Sequence, residues 1–306
     1  MKEKVLISGG TGFIGKYLSA KLVNRGYEVS FLGRTSQKNS GILSYSWDIE
    51  NDEIEKGAIE TADYIIHLAG ANIGEKRWTK KRKQLIIDSR VKTSRMILNK
   101  INKTNTKLNA FISASAIGYY GLKTTDKIYS ETDTSSNDFL GEVCRKWEEA
   151  AENFARSGIR TVKIRTAVVL GKERGAFANI LKPARSGFAL VIGNGKQFMP
   201  WIHIDDLCDI YIKAIEDKCM NGPYNAVAPD HKTNKDIMKA LAIALKKRLL
   251  FIKIPEFLFK TIFGEMSGIL LNGSRVSSEN IVNAGYRFKF ADLESALEDI
   301  LSEKIR

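Results

Sequence analysis

A chain of 306 residues with 43% hydrophobic side chains has length and apolar mass for one large domain, or for a main domain with a smaller lobe. No apolar run approaches the ~18 residues of a membrane span, so no membrane partner is expected, and the cysteines (Cys144, Cys208, Cys219) are too scattered for a disulfide frame or a zinc site. The net charge of +13 concentrates partly in GEKRWTKKRKQ (74–84), but no nucleic-acid motif accompanies it; a solvated helix start and attraction for an anionic cofactor are the expected reading. Free thiols, and an opening MKEKVLISGG that runs into a strand with no signal-peptide core, make a cytoplasmic protein the expectation.

The first half alternates β-rich and amphipathic runs. Strands are expected at 4–8, 28–32, 43–47, 63–69, 109–115 and 161–165, and helices at 13–25, 78–102 and 138–157. This rhythm predicts an α/β fold: a doubly wound parallel sheet with helices on both faces and ligands at the carboxyl ends of its strands. After about residue 170 glycines loosen the pattern. WIHIDDLCDIYIKAIED (201–217) reads as a short strand and a helix capped near Asp205, and GPYNAVA (222–228) as one more strand. Residues from about 233 onward read as mostly helical. The expected division is a nucleotide-binding domain of 1–170 plus about 202–228, and a substrate lobe of about 171–201 plus 229–306.

LISGGTGFIGKYL places Gly9, Gly12 and Gly15 between a strand and a helix. The first permits the tight turn, the second lets the backbone approach a pyrophosphate, and the third lets helix and strand pack closely. A diphosphate then lies at the positive helix N-terminus, with Thr11, Phe13 and Ile14 in the same turn. After the second strand, where an NAD site often has an acid for the ribose 2′-OH, the chain reads FLGRTSQK. Gly33 and Arg34 there favour NADP(H) over NAD(H), because a guanidinium suits a 2′-phosphate. Asp48 accepts from an adenine amino group or serves as an N-cap. Leu68, Ala69 and Gly70 give the small surface where the cofactor's ribose must pass, and His67 before them reads as a core histidine.

Together, SGGTGFIG, HLAG and WIHIDDL resemble the extended short-chain dehydrogenase/reductase family, the NAD(P)-dependent epimerase/dehydratase type. SASAIGYYG, KWEEAA, MPWIHIDDL and GPYNAVAP are similar to an atypical subgroup described as nucleoside-diphosphate-sugar epimerase-like. LLNGSRV (270–276) and AGYRFKFADLESAL (284–297) resemble the carboxy-terminal domain of that subgroup. The resemblance covers essentially the whole chain and implies a Rossmann-like fold, a nicotinamide cofactor and a small-molecule substrate. It also implies a homodimer face on the helices at 78–102 and 138–157.

In the wider family a strand-end serine works beside a Tyr-x-x-x-Lys helix. The resemblance puts Ser115 at the serine position, orienting a substrate oxygen beside the nicotinamide. Matching the family's downstream glutamate to Glu148 puts Leu140 and Cys144 where tyrosine and lysine belong, so the standard mechanism does not transfer. Tyr119 or Tyr120 then serves as general acid, or both simply pack under a loop. Arg90 is the implied ribose contact, with Lys80, Lys81, Arg82 and Lys83 facing solvent. Val168 and Val169 are placed against the nicotinamide face. Gln197 and Trp201, with Lys196, are lid or substrate contacts, and Asn225 and Arg275 meet the substrate's distal part. Two functions follow: an NADP(H)-dependent oxidoreductase or epimerase acting on a small polar or nucleotide-linked substrate, or an NADP(H)-binding sensor or scaffold with little or no catalysis.

Overall fold

The structure, a computed structural model, describes residues 2–36, 41–172 and 174–302. The chain runs β1 (Lys4–Ser8), α1 (Phe13–Asn24), β2 (Glu28–Gly33), β3 (Leu43–Asp48), β4 (Glu53–Ile54), β5 (Tyr64–His67), α2 (Lys80–Thr104) and β6 (Ala110–Ala116). A 3₁₀ turn at Ile117–Tyr120 then leads to β7 (Ile128–Tyr129), α3 (Phe139–Arg156), β8 (Thr161–Thr166) and β9 (Val168–Leu170). Next come α4 (Ala176–Arg185), β10 (Phe188–Ile192), β11 (Trp201–His203), α5 (Ile204–Glu216) and β12 (Gly222–Ala226). The last part holds α6 (Asn234–Ala244), β13 (Leu250–Ile254), α7 (Glu256–Phe263), α8 (Gly268–Leu271), β14 (Arg275–Val276), α9 (Glu279–Asn283) and α10 (Leu293–Leu301).

The main sheet has the order β12-β8-β6-β5-β1-β2-β3-β4, parallel except where β4 pairs with β3. It starts in the middle and winds outward in both directions, so the strand order reverses between β1 and β5, where such sheets bind ligands. Burial on both faces explains why its inner strands read as unbroken apolar runs. Val5 and Ile7 of β1 point into one layer with Leu18 and Leu22 of α1 and Leu207 and Tyr211 of α5. Leu6 points into the other, against Ile97 of α2 and Phe154 of α3.

Helix ends follow their capping residues. The Thr79 side chain accepts from the Arg82 N–H, and the Asp138 side chain accepts from the Gly141 N–H, which fixes the starts of α2 and α3. The expected cap of α5 moves. His203 takes that role, its Nδ1 accepting from the Asp205 N–H at 3.1 Å, because Asp205 already lies inside the first turn. There the Asp205 carboxylate meets Lys21 and Lys289 instead. The strand expected at 63–69 shortens to β5, since Leu68–Gly70 leave the ladder.

A second core gathers Phe177 and Leu181 of α4, Val191 of β10, Ile237 and Leu241 of α6 and Leu297 of α10. Trp201 belongs to it: the side chain is fully buried and its Nε1 donates to the Asp230 carbonyl at 3.0 Å, so in this structure it is a core residue. Within the stretch expected to be helical, Leu250–Ile254 instead forms β13, parallel to β10.

The two cores are joined at Asp206. This fully buried carboxylate accepts from the Tyr286 hydroxyl at 2.7 Å and from the N–H groups of Lys289 and Phe290 at 2.8 and 3.0 Å. Three donors offset the desolvation of the charge. Burial and the Asp206 charge push the Tyr286 phenol upward, so it stays a donor. The WIHIDDL signature therefore acts as a latch for the carboxy-terminal region. Removing one charge-assisted donor with Tyr286→Phe lowers the unfolding free energy in urea titrations by about 1.5–3 kcal/mol.

Candidate functional site: the strand exits around a glycine turn

Gly9 holds φ +74°, and the Gly12 N–H closes the turn on the Gly9 carbonyl at 3.0 Å. A Cβ on Gly9 would lie 3.0 Å from the Ala69 nitrogen, and one on Gly15 would lie 2.6 Å from Gly10 Cα. Gly12 caps α1 without a side chain, and the first turn of α1 carries no acid. The positive end of the helix dipole thus meets no acid of its own first turn, which suits a diphosphate. Thr11 is exposed, and Ile14 packs on the first core. The Phe13 ring walls the turn against Gly171, where a Cβ would come within 2.4 Å of it. Val168 and Val169, half-buried on β9, lie just before that wall.

Gly33 ends β2, and Arg34 follows it, exposed. Asp48 ends β3 and folds the next loop, accepting from the N–H groups of Glu50 and Asn51 and from the Asn51 side chain at 2.9, 3.2 and 2.9 Å. Those bonds hold its carboxyl below the usual range. Asp48 is a turn former here, not a helix cap.

At the exit of β5, Leu68 and Ala69 lie against Gly9, and a Cβ on Gly70 would stand 2.8 Å from the Arg90 Cζ. Arg90 is 7% exposed. Its Nη1 donates to the carbonyls of Ala71 and Ile86 at 3.1 and 2.9 Å, its guanidinium lies 4.7 Å from the Trp147 ring centroid, and its Nε has no partner. Among the described residues no carboxylate pairs with it. The nearby Cys144 thiol adds no charge, since burial pushes it up to about 12, while burial pushes Arg90 down to about 10. A cation is thus buried without an anion beside the glycine turn. The rest of the basic cluster divides: Lys80 and Lys81 are exposed, but Arg82 pairs with Glu75 and Lys83 with Glu265, contrary to the expectation of solvent.

His67 is fully buried, with Nδ1 2.6 Å from Ser8 Oγ and Nε2 3.1 Å from Thr93 Oγ1. It is a satisfied core histidine.

The hydroxyls of SASAIGYYG take separate paths. Ser115 is 3% exposed and donates to Glu148 Oε1 at 2.7 Å, so its hydroxyl faces α3. Glu148 in turn receives Arg165 in a bidentate pair at 2.8 and 2.9 Å. Arg165 also donates to the Tyr120 hydroxyl at 3.0 Å, and that hydroxyl donates to Asn225 Oδ1 at 2.7 Å. Tyr120 is therefore a buried network member and not a free acid, with burial pushing its phenol up to about 12. Asn225 is fully buried too, its Nδ2 donating to the Ser277 carbonyl at 3.1 Å. Tyr119 differs. Its ring lies 3.5 Å from the Arg165 Cζ, it is half-buried, and among the described residues its hydroxyl has no hydrogen-bond partner.

Leu140 and Cys144 are buried under Gly118, filling the place of the absent pair. Gln197 donates to the carbonyls of Ile192 and Leu270 at 3.1 and 2.9 Å and so ties two loops together. Arg275 donates to the Asp126 carbonyl and stacks on Phe198 at 5.3 Å, holding two loops together. The Glu148–Arg165 pair was outside the sequence reading. Its signal was a carboxylate on the apolar face of an amphipathic helix, a position that calls for a buried cation.

Comparison with known proteins fits this geometry. The family model of the NAD dependent epimerase/dehydratase family matches residues 5–226, and a domain of unknown function (DUF1731) matches residues 254–300. The chain belongs to the NAD dependent epimerase/dehydratase family. It is 33% identical to Epimerase family protein YfhF of Bacillus subtilis over 98% of both chains. It is 35% identical to Epimerase family protein SDR39U1 of Mus musculus, over 98% of this chain and 100% of that one. The crystal structure of human SDR39U1 with NADPH superposes with a TM-score of 0.87 at 32% identity, covering 97% of this chain and 98% of that one. Within this epimerase/dehydratase fold, the parallel strands β1, β2, β5 and β6 all end at the sheet edge that carries the glycine turn.

His67 gives the site a pH signature. Burial holds it at about 4 against an ordinary 6.5. Between those values the unfolded chain takes up a proton that the folded chain refuses, so stability falls on acidification, by about 1.4 kcal/mol per pH unit. In chemical denaturation from pH 7 to pH 4, His67→Gln shows a shallower loss than the parent chain by that amount.

Proposed function

We propose that the chain binds NADP(H) across the exits of β1, β2 and β5, and acts as an oxidoreductase or epimerase on a small polar, nucleotide-sugar-like substrate. Arg90 carries this reading: a buried guanidinium without a carboxylate, pressed on Gly70 beside the glycine turn, is completed by an anionic ligand. Exposed Arg34 at the end of β2 supports the 2′-phosphate form, as does the NADPH bound to human SDR39U1. When bound, the cofactor supplies or accepts hydride. The chain's part is to hold it: the bare α1 terminus against the diphosphate, Arg90 against ribose or phosphate, Phe13 and Val169 as apolar wall. Tyr119 is the proton-handling group in this reading, its ring steadied under Arg165 and its hydroxyl uncommitted.

A second reading has its own observation. Ser115 and Tyr120 both commit their hydroxyls inside the fold, which is what an NADP(H)-responsive binding protein with little turnover would show.

Fluorescence titration with NADPH and NADH, followed by nicotinamide absorbance over a panel of carbonyl and sugar-nucleotide substrates, separates the two. Expected are a preference for NADPH that Arg34→Ala reduces about 10-fold or more, and weaker binding of both cofactors in Arg90→Met. Tyr119→Phe is expected to keep NADPH affinity and lose about 10²–10⁴ in turnover. Tight NADPH binding without turnover on any substrate selects the second reading, and a preference for NADH defeats the assignment of Arg34.

A further inference from the structure

Between Leu250 and Phe263 the chain leaves apolar side chains in water. Four of the five residues of β13 are exposed, and α7 buries none of its own. Leu250, Phe251, Ile252, Phe257, Leu258 and Ile262 are each 38–64% exposed. Scattered apolar side chains on a surface are ordinary, but so dense a set within one segment of chain marks a surface that meets something. The face extends onto β10, where Phe188 pairs with Leu250 and is 42% exposed. Helices α4 and α6 cover β10 and leave β13 on the outside.

The charge along this segment is mostly positive. From residue 246 to 263 there are five cations, Lys246, Lys247, Arg248, Lys253 and Lys260, against the single acid Glu256, which pairs with Lys260. The last turn of α4 brings Lys182 and Arg185 to the same edge, where the Lys247 ammonium donates to the Arg185 carbonyl at 2.9 Å.

We propose that the β13–α7 face docks this protein on an anionic phospholipid surface, its aliphatic and aromatic side chains inserting at the headgroup boundary and its cations meeting lipid phosphates. Apolar groups ringed by lysine and arginine are what such a surface selects. A second copy fits poorly, because a two-fold contact would press the same positive face on itself. A nucleic acid would use the cations but leave the aliphatic side chains in water. The expectation of no membrane partner rests on spanning length. No helix of the described residues is long and apolar enough to cross a membrane, and a peripheral contact needs none.

The test is flotation of the full chain with phosphatidylcholine vesicles, with and without about one third phosphatidylglycerol. Expected is binding to the anionic vesicles, weakened by salt and at least about tenfold tighter than to the neutral ones. Phe257→Ser/Ile262→Ser and Arg248→Glu/Lys253→Glu are each expected to weaken it about tenfold or more, given about fivefold per basic residue near the surface. All four positions are exposed, so melting temperature and NADPH affinity should match the parent and show that the fold is intact. No binding to anionic vesicles overturns the proposal, as does binding that survives the apolar double variant. So does a dimer, seen by light scattering, that Phe257→Ser/Ile262→Ser dissolves.

Discussion

At the exit of β1 three stretches of main chain press on one another with no room for a side chain. Gly9 meets Ala69, Gly15 meets Gly10, and Gly70 meets the Arg90 guanidinium. This crowding brings the ends of β1 and β5 against the start of α1 and keeps the helix N-terminus bare. Much else answers to it. The strand order reverses there, so α1 and α2 depart to opposite faces and leave a crevice between them. His67 lies one residue before the loop that meets Gly9, and its bonds to Ser8 and Thr93 tie β1, β5 and α2 beneath the site. A residue that looks catalytic is part of the support.

The buried charges sort into closed and open cases. Asp206 is closed by Tyr286 and two main-chain donors, and Glu148 and Arg165 close each other in a bidentate pair with Ser115 and Tyr120 around them. Each such group would cost several kcal/mol if left alone, so each is structural. Arg90 stays open, with carbonyl acceptors and no anion. That asymmetry sets Arg90 apart from the closed charges more sharply than motif position does. Arg165 lies at a strand exit too, yet its charge is already spent on Glu148.

Sequence reading reached the architecture because each element has a local cause: paired-face apolar strands, capped amphipathic helices, and glycines where backbone must approach backbone. It did not reach the direction of individual hydroxyls. Along β6, Ser115 differs from its alanine neighbours in which face it points to, and pairing with Arg165 across the ladder decides what it meets. Tyr119 and Tyr120 sit in a 3₁₀ turn that sets their rings at 80° to each other, so adjacent residues of one type have opposite fates. Gln197, Trp201, Asn225 and Arg275 look like polar or aromatic contacts along the chain, but tie loops or fill the core once partners 29 to 149 residues away are present. β13 escaped for another reason. A short apolar run carries no period that tells strand from helix, and an exposed strand lacks the alternation that burial imposes.

The basic cluster and the exposed face bear on one segment of chain. Trp78 stacks edge-on against Phe139 at 4.7 Å, and both join Met266 and Phe263 in a small core over the start of α2. Lys83 pairs with Glu265, and a Cβ on Gly264 would lie 2.9 Å from Arg77, so the loop that leaves Gly70 is strapped to the end of α7. Two of the charges in the basic cluster, Arg82 and Lys83, are thus paired within the molecule, while Lys80 and Lys81 stay exposed. The same strap links α7, whose outer face is apolar and exposed, to the loop that shelters Arg90. Phe263 and Met266 thereby pack the end of α7 into the same small core as Trp78, just before the start of α2.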